Sequence, residues 1–157
     1  MSFDIEGKYL TFGLGKQEYG ARILSVKEII GMMPIRALPQ TPPFFKGVLN
    51  LRDKVIPVID LRLKFGMEEL EYNERTCIII MEFWKKDGTF QLGAVVDSVF
   101  EVLNVKAADI EDTPTFGVDI DTNFILGIVK MDEGVKILLD TDLILAAGEG
   151  EIIANVS

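Results

Sequence analysis

The 157-residue chain contains no histidine. That removes the side chain most often used to move protons near neutral pH, every Ser–His or Cys–His nucleophile pair, and the usual nitrogen ligand of zinc. A single cysteine, Cys77, cannot close an internal disulfide, which fits a reducing compartment. Set inside TCIII, it reads as a small buried hydrophobe and not as a reactive thiolate. Long apolar runs are missing too. CIIIM at 77–81 is typical of the longest and is far too short to span a bilayer. The opening residues, MSFDIEGK, lack the basic start and apolar segment of an export signal. Positive charge is scarce: 16 Lys and Arg stand against 25 Asp and Glu, a net charge of −9. Such a chain repels a phosphate backbone and an anionic lipid surface.

Motifs for bound cofactors are absent or broken. GLGKQEYG (13–20) has the wrong glycine spacing for a dinucleotide loop and is followed by a strand pattern. No GxxxxGK[ST] loop occurs. DIDTN (119–123) opens like a calcium loop, but Phe124 holds the sixth position, where glycine is needed, and Lys130 the twelfth, where a bidentate glutamate is needed. The pattern therefore predicts no metal and no cofactor. A paired-carboxylate hydrolase stays open as a reading, since 25 acids always place some near one another.

What the sequence does hold is strand signal. Apolar residues make up 48%, enough for a core of one compact domain or of two small ones packed together. No stretch of 15 residues sustains a helical period. YLTFGLG (9–15) and EYGARI (18–23) read as a hairpin, and LSVKEII (24–30) fits a short helix or a strand. PIRALPQTPP (34–43) holds four of the six prolines and must be an extended loop. FKGVLNLR and KVIPVIDL (45–61) form a hairpin across Asp53-Lys54, with Pro57 expected at a bulge or an edge. DLRLKFG (60–66) reads as a helical turn or two, capped by Asp60 and stopped by Gly66. EELEYNER (68–75) is a polar linker. RTCIIIMEFW (75–84) and TFQLGAVVDSVFEVL (89–103) are strands around KKDG, and an acidic loop fills 107–123. FILGIVKM and VKILLD (124–140) form a hairpin turned by Glu133-Gly134. A short helix is expected at 141–147. Many short strands with few helical turns predict an all-β chain built from barrels.

The chain also matches itself. YGARILSVKEI (19–29) aligns without gaps on LGAVVDSVFEV (92–102), pairing Gly20 with Gly93, Val26 with Val99 and Glu28 with Glu101. GVLNLRDKVIPVID (47–60) aligns on GIVKMDEGVKILLD (127–140), pairing Gly47 with Gly127 and Asp60 with Asp140. The offsets are 73 and 80, and the seven extra residues fall in the acidic loop. Two β units in tandem follow, each too small to build a strong core alone, so the two should pack together. The seam of such a pair is a common place for a groove.

Two features remain that point outward. One is the charged turn Arg52-Asp53-Lys54 between two apolar strands. The other is the repeated Val–x–Glu–apolar pattern, Val26-Lys27-Glu28-Ile29 and Val99-Phe100-Glu101-Val102. Charge at a strand end also keeps a hairpin soluble, and the valines also fit a core. Charge beside apolar surface is what a specific protein interface needs. Both readings fit these positions.

GVLNLRDKVIPVIDLRLKFG (47–66) strongly resembles the signature of the CheW family of chemotaxis coupling proteins. The order of YLTFGLGKQEYG, VKEI, TPPFFKGVLNLR, LGAVVDSVFEVL and GIVKMDEGVKILLDTDLIL resembles that family across residues 8–147. The resemblance implies two packed five-stranded SH3/OB-like β-barrels within a single domain, 1–157. The subdomains are drawn at 17–75 and 76–145, with strand 8–15 a candidate for exchange between them. It further implies a cytoplasmic, non-enzymatic scaffold without cofactors. Such a scaffold is recruited to the inner face of the membrane through receptor arrays, binding no nucleic acid and inserting in no membrane. Its implied partners are the regulatory domain of the histidine kinase CheA and the cytoplasmic tips of methyl-accepting chemoreceptors. The contact positions it implies are Val26, Glu28, Ile29, Gly47, Arg52, Gly93, Val99 and Val102. Asp53 departs from the glycine frequent in that family's turn. From another class, an oligonucleotide-binding barrel is the alternative, and the acidic charge opposes it.

Overall fold

The structure, a computed structural model, describes residues 6–85, 88–111, 125–131 and 134–141. The chain starts with a hairpin, β1 (Gly7–Leu14) and β2 (Gln17–Arg22), and a 3-10 turn at Ile23–Ser25 leads into β3 (Val26–Gly31). Beyond the proline-rich segment come β4 (Phe45–Leu51), β5 (Lys54–Asp60) and the short helix α1 (Leu61–Lys64). Then follow β6 (Cys77–Lys85), β7 (Gly88–Val96), β8 (Ser98–Val105), a two-residue β9 (Ile110–Glu111), β10 (Ile125–Met131) and β11 (Gly134–Leu139). The segment LSVKEII, ambiguous in sequence, is a turn and then a strand. Of the acidic loop only 107–111 is described, and of the expected helix at 141–147 only Thr141.

The strands make two packed sheets. One has six strands in the order β8-β1-β2-β11-β10-β9, the other five in the order β3-β6-β7-β5-β4. Hydrogen bonding does not divide the chain at 75/76. The six-stranded sheet takes its strands from 7–22, 98–111, 125–131 and 134–139, and the five-stranded sheet takes its strands from 26–85 and 88–96. The reason lies in the crossovers. The hairpin β1-β2 hands its next strand, β3, to β6 of the other sheet, and the hairpin β6-β7 hands β8 to β1. Each repeat thus completes the sheet that the other repeat's hairpin begins.

The pairing carries the duplication down to single rungs. Gly47, Val58 and Gly93 lie side by side across β4, β5 and β7; Gly127, Leu138 and Gly20 lie side by side across β10, β11 and β2. The register shifts at Phe45/Gly47 in one hairpin and at Ile125/Gly127 in the other. Both third strands bulge just after the shared valine, between Val26 and Glu28 and opposite Leu10/Phe12 beside Val99. A Cβ on Gly93 would stand 2.9 Å from Ile78 Cγ2, and one on Gly20 would stand 3.0 Å from Leu138 Cδ2. The absence of a side chain at these two points lets neighbouring aliphatic groups close over the strand.

Three clusters form the core. Leu10, Phe12, Leu14 and Ile137 of one sheet meet Ile59, Ile79, Met81 and Leu92 of the other in the layer between them. Leu49, Ile56, Val58, Ile78 and Ile80 fill the far side of the five-stranded sheet, and Tyr9, Val105, Val129 and Leu138 the far side of the six-stranded one. Successive side chains on a strand point to opposite faces. In β6, Ile79 and Met81 face the shared layer while Ile78 and Ile80 face away, so both faces are buried and the sequence reads as the unbroken run CIIIM.

Pro57 lies neither at an edge nor at a bulge, because β5 has β4 on one side and β7 on the other. Its partner across β4 is Val48, whose N–H and C=O turn outward to Arg36. Pro57 therefore faces β7 with its nitrogen, and pairing with β7 begins only at Val58, so no ladder bond is lost.

Candidate functional site

The tip of the β4-β5 hairpin is a two-residue turn at Arg52-Asp53, closed by the pair Leu51 and Lys54, one position earlier than the sequence suggests. Both turn residues have positive φ, 49° and 66°. This primed geometry suits the twist of a hairpin but strains a residue with a Cβ. Arg52 accepts it and in return aims its guanidinium at β3. Nη1 and Nη2 donate to the two carboxylate oxygens of Glu28, at 2.5 and 2.9 Å. β3 and β4 are opposite edges of the five-stranded sheet, about 19 Å apart if it were flat at ~4.8 Å per strand. The fork joins the β3 edge to the β4-β5 tip, so the sheet is curled until its two margins approach.

The guanidinium stays in solvent, with the Arg52 side chain 71% exposed and that of Glu28 25%. The hydrogen bonds from Arg52 hold the Glu28 carboxyl below the ordinary glutamate range, against a smaller push from desolvation; the same bonds raise Arg52. Val55, one residue past Lys54 at the start of β5, is exposed.

The two Val–x–Glu–apolar patterns take matching places. Val26 on β3 and Val99 on β8 are half-buried against the shared core. Three residues on, Ile29 and Val102 are exposed, at 42% and 51%. β3 and β8 are both sheet edges, so each repeat offers one anchored valine and one bare aliphatic group at an unpaired margin. On β8 the bulge is fixed by buried Thr11, whose hydroxyl donates to Glu101 O at 2.8 Å and accepts from Glu101 N–H at 3.1 Å. The repeats differ in their acids. Glu101 lies 3.9 Å from Lys136 and has no arginine fork; the residue 80 positions beyond Arg52 is Asp132, outside the described residues.

Gly47 and Gly93 are buried and offer no surface of their own. Gly47 has φ +135°, and a Cβ there would fall 2.0 Å from Arg36 O, where the proline-rich segment bridges Val48. The structure thus groups Glu28 with Arg52, sets Val26 with Ile29 and Val99 with Val102 on equivalent edges, and places both glycines behind them. Three outward apolar residues escape sequence reasoning: Leu24, 94% exposed, Phe100, 52%, and Val55, 57%. Strand-like runs around each of them look like core. The mark that finds Leu24 is its repeat mate, Asp97, because a position that is leucine in one repeat and aspartate in the other is no core pocket common to both.

Apolar groups at sheet margins, with a few fixed charges beside them, have the composition typical of protein interfaces. Among the described residues, no group of three or more acidic or cysteine side chains could hold a metal ion, and no helix is long and apolar enough to cross a membrane.

A model of the CheW-like domain matches residues 8–149 of this chain. The chain belongs to the CheW family. It is 38% identical to the chemotaxis protein CheW of Klebsiella aerogenes over 96% of this chain and 88% of that one. It is 33% identical to the probable chemotaxis protein CheW of Rhizobium etli, over 90% and 89%. The crystal structure of the scaffolding protein TtCheW from Thermoanaerobacter tengcongensis superposes with a TM-score of 0.79 at 34% identity, covering 91% of this chain and 94% of that one. This CheW-family chain is accordingly a chemotaxis adaptor, a scaffold and not an enzyme. The two packed β-sheets agree with the fold of that solved structure.

Proposed function

We propose that this CheW-family adaptor couples the cytoplasmic tips of chemoreceptors to the regulatory domain of the histidine kinase CheA. The observation that carries the reading is the solvent-exposed Arg52–Glu28 fork, with bare Ile29 next to Glu28 on β3 and bare Val55 three residues past Arg52 on β5. A turn residue held at positive φ and a charge pair left in solvent contribute little to folding, and an interface gives them a use. Val26, Glu28, Ile29, Arg52, Val99 and Val102 form the contacts, and Gly47 and Gly93 support them through strand spacing. Two equivalent edges, one per repeat, give the scaffold two places to grip. By holding receptor and kinase together it raises their effective concentration, and receptor states that differ in contact then bias the kinase. The adaptor works in the cytoplasm and reaches the membrane only through its receptors.

Titration of the full chain with a receptor-tip fragment and with a CheA regulatory domain tests this. Saturable binding to both, with a ternary complex at stoichiometric concentrations, is expected. Failure to bind either one defeats the coupling role.

A further inference from the structure

The two crossovers between the sheets occupy equivalent places in the repeat and are held very differently. At the β7-β8 crossover, Asp97 is gripped by three bonds, two from the end of the β1-β2 hairpin and one from α1. Its N–H donates to Gly13 O at 3.0 Å, and its Oδ2 accepts from Gly15 N–H at 2.7 Å and from Arg62 Nη1 at 2.6 Å. Arg62 is fixed in turn: its Nε donates to Glu68 O, its N–H to Asp60 Oδ1, and its carbonyl accepts from Met67 N–H. Asp60 is itself held by the Tyr72 hydroxyl. At the β2-β3 crossover the residue 73 positions earlier is Leu24, 94% exposed, in a 3-10 turn with no side-chain cap.

A cavity of about 240 Å³, lined by Asp60, Arg62, Tyr72, Asp97 and Ser98 among others, lies against the gripped crossover. The cavity leaves open space on that side of Asp97, where Leu70 and Val95 also line it, and the bonds to Gly13, Gly15 and Arg62 fix its position. Val99 follows two residues later. The Phe100 ring lies over Gly13, 3.1 Å from where a Cβ would stand, on the strand end that Asp97 also holds. A shift at Asp97 is therefore passed directly to Val99 and Phe100.

We infer that Arg62 and Asp97 are positioning residues that preset the β8 half of the contact surface, while the β2-β3 crossover at Leu24 is left adjustable. This rests on the reading of Val99 and Val102 as contacts. A preset half gives up less freedom on binding than an adjustable one.

The test is the variant Arg62→Met with Asp97→Leu, which gives the second crossover the side chain of the first. Removing both charges leaves neither one buried alone, so folding is retained. Hydrogen exchange at Ser98–Val102 should speed by about tenfold while exchange at Glu28–Gly31 stays unchanged. The fragment, receptor tip or CheA regulatory domain, whose binding Val102→Arg weakens should bind the double variant about tenfold more weakly. Unchanged exchange, or faster exchange with unchanged affinity, overturns the inference. If Val102→Arg weakens neither fragment, the contact-surface reading fails instead, and the exchange result alone decides whether the crossover is gripped. Should the double variant not fold, Arg62→Lys gives the same readouts, since an ammonium cannot bond Asp97 and Glu68 O in one geometry.

Discussion

Two arginine–aspartate or arginine–glutamate pairs, Arg62–Asp97 and Arg52–Glu28, have nearly equal bond lengths and opposite surroundings. Arg62 is buried, 9% exposed, and its partner also ties a turn and a crossover. Arg52 projects into water from a strained turn and ties only Glu28. Bond length alone does not rank them. The two acids are about equally exposed, 28% for Asp97 and 25% for Glu28, so the contrast lies in the arginines: removing buried Arg62 takes away several fixed bonds, whereas exposed Arg52 exchanges its partner for water at little cost. The first pair belongs to the architecture and the second to the surface that architecture presents.

Substitutions sharpen the contrast in graded steps. The largest loss is expected at neither pair but behind the exposed one. Gly47→Ala forces a Cβ onto Arg36 O at a φ reserved for glycine, and should cost about 4 kcal/mol in denaturant unfolding. A loss under about 1 kcal/mol would mean that the Arg36–Val48 bridge gives way freely. Arg62→Met alone leaves Asp97, 28% exposed and still bonded to the Gly15 N–H, without its cation and should cost about 2 kcal/mol, read from the same unfolding curves. Gly93→Ala presses on Ile78 and Val58 and should cost about 1–2 kcal/mol, with Gly20→Ala costing about the same if the rungs are truly equivalent. A several-fold difference between these two would break the symmetry of the repeats.

At the small end stands acid titration of Glu28. Its carboxyl is held below the ordinary value of 4.5 chiefly by the hydrogen bonds from Arg52. A carboxylate with a lowered folded pKa contributes above its unfolded value and loses that contribution as pH falls through the folded one. The fork should therefore persist through pH 4.5 and open only below it. A carboxyl carbon chemical-shift titration should show the low midpoint, and Arg52→Ala should return it toward 4.5. An unmoved midpoint would show that the fork does not hold in solution.

The sequence announces some of this plainly and hides the rest for physical reasons. Asp60 as a cap is legible because capping is local: its Oδ1 accepts the Arg62 N–H at 2.9 Å, two residues on. The duplication is legible because bulges and glycine rungs keep fixed spacing. Which sheet each strand joins is not, since alternation fixes a strand's two faces but not its neighbours; hence β3 and β8 change sheets where a cut at 75/76 keeps them home. The Arg52–Glu28 fork joins residues 24 apart on opposite margins of a sheet, and no local pattern encodes that. A charge comparison between repeats could have found it. Glu28 and Glu101 are both acids, yet Arg52 aligns with Asp132, so only the first repeat can make the pair.

Under the proposed coupling role, the exposed fork serves binding and not folding. The direct measurement is the affinity of Arg52→Ala for the receptor-tip fragment and for the CheA regulatory domain, with its melting temperature recorded on the same sample. An unmoved melting temperature and about tenfold weaker binding to at least one fragment are expected. Unchanged affinity for both, or a weakening that merely follows a lowered melting temperature, would contradict that role.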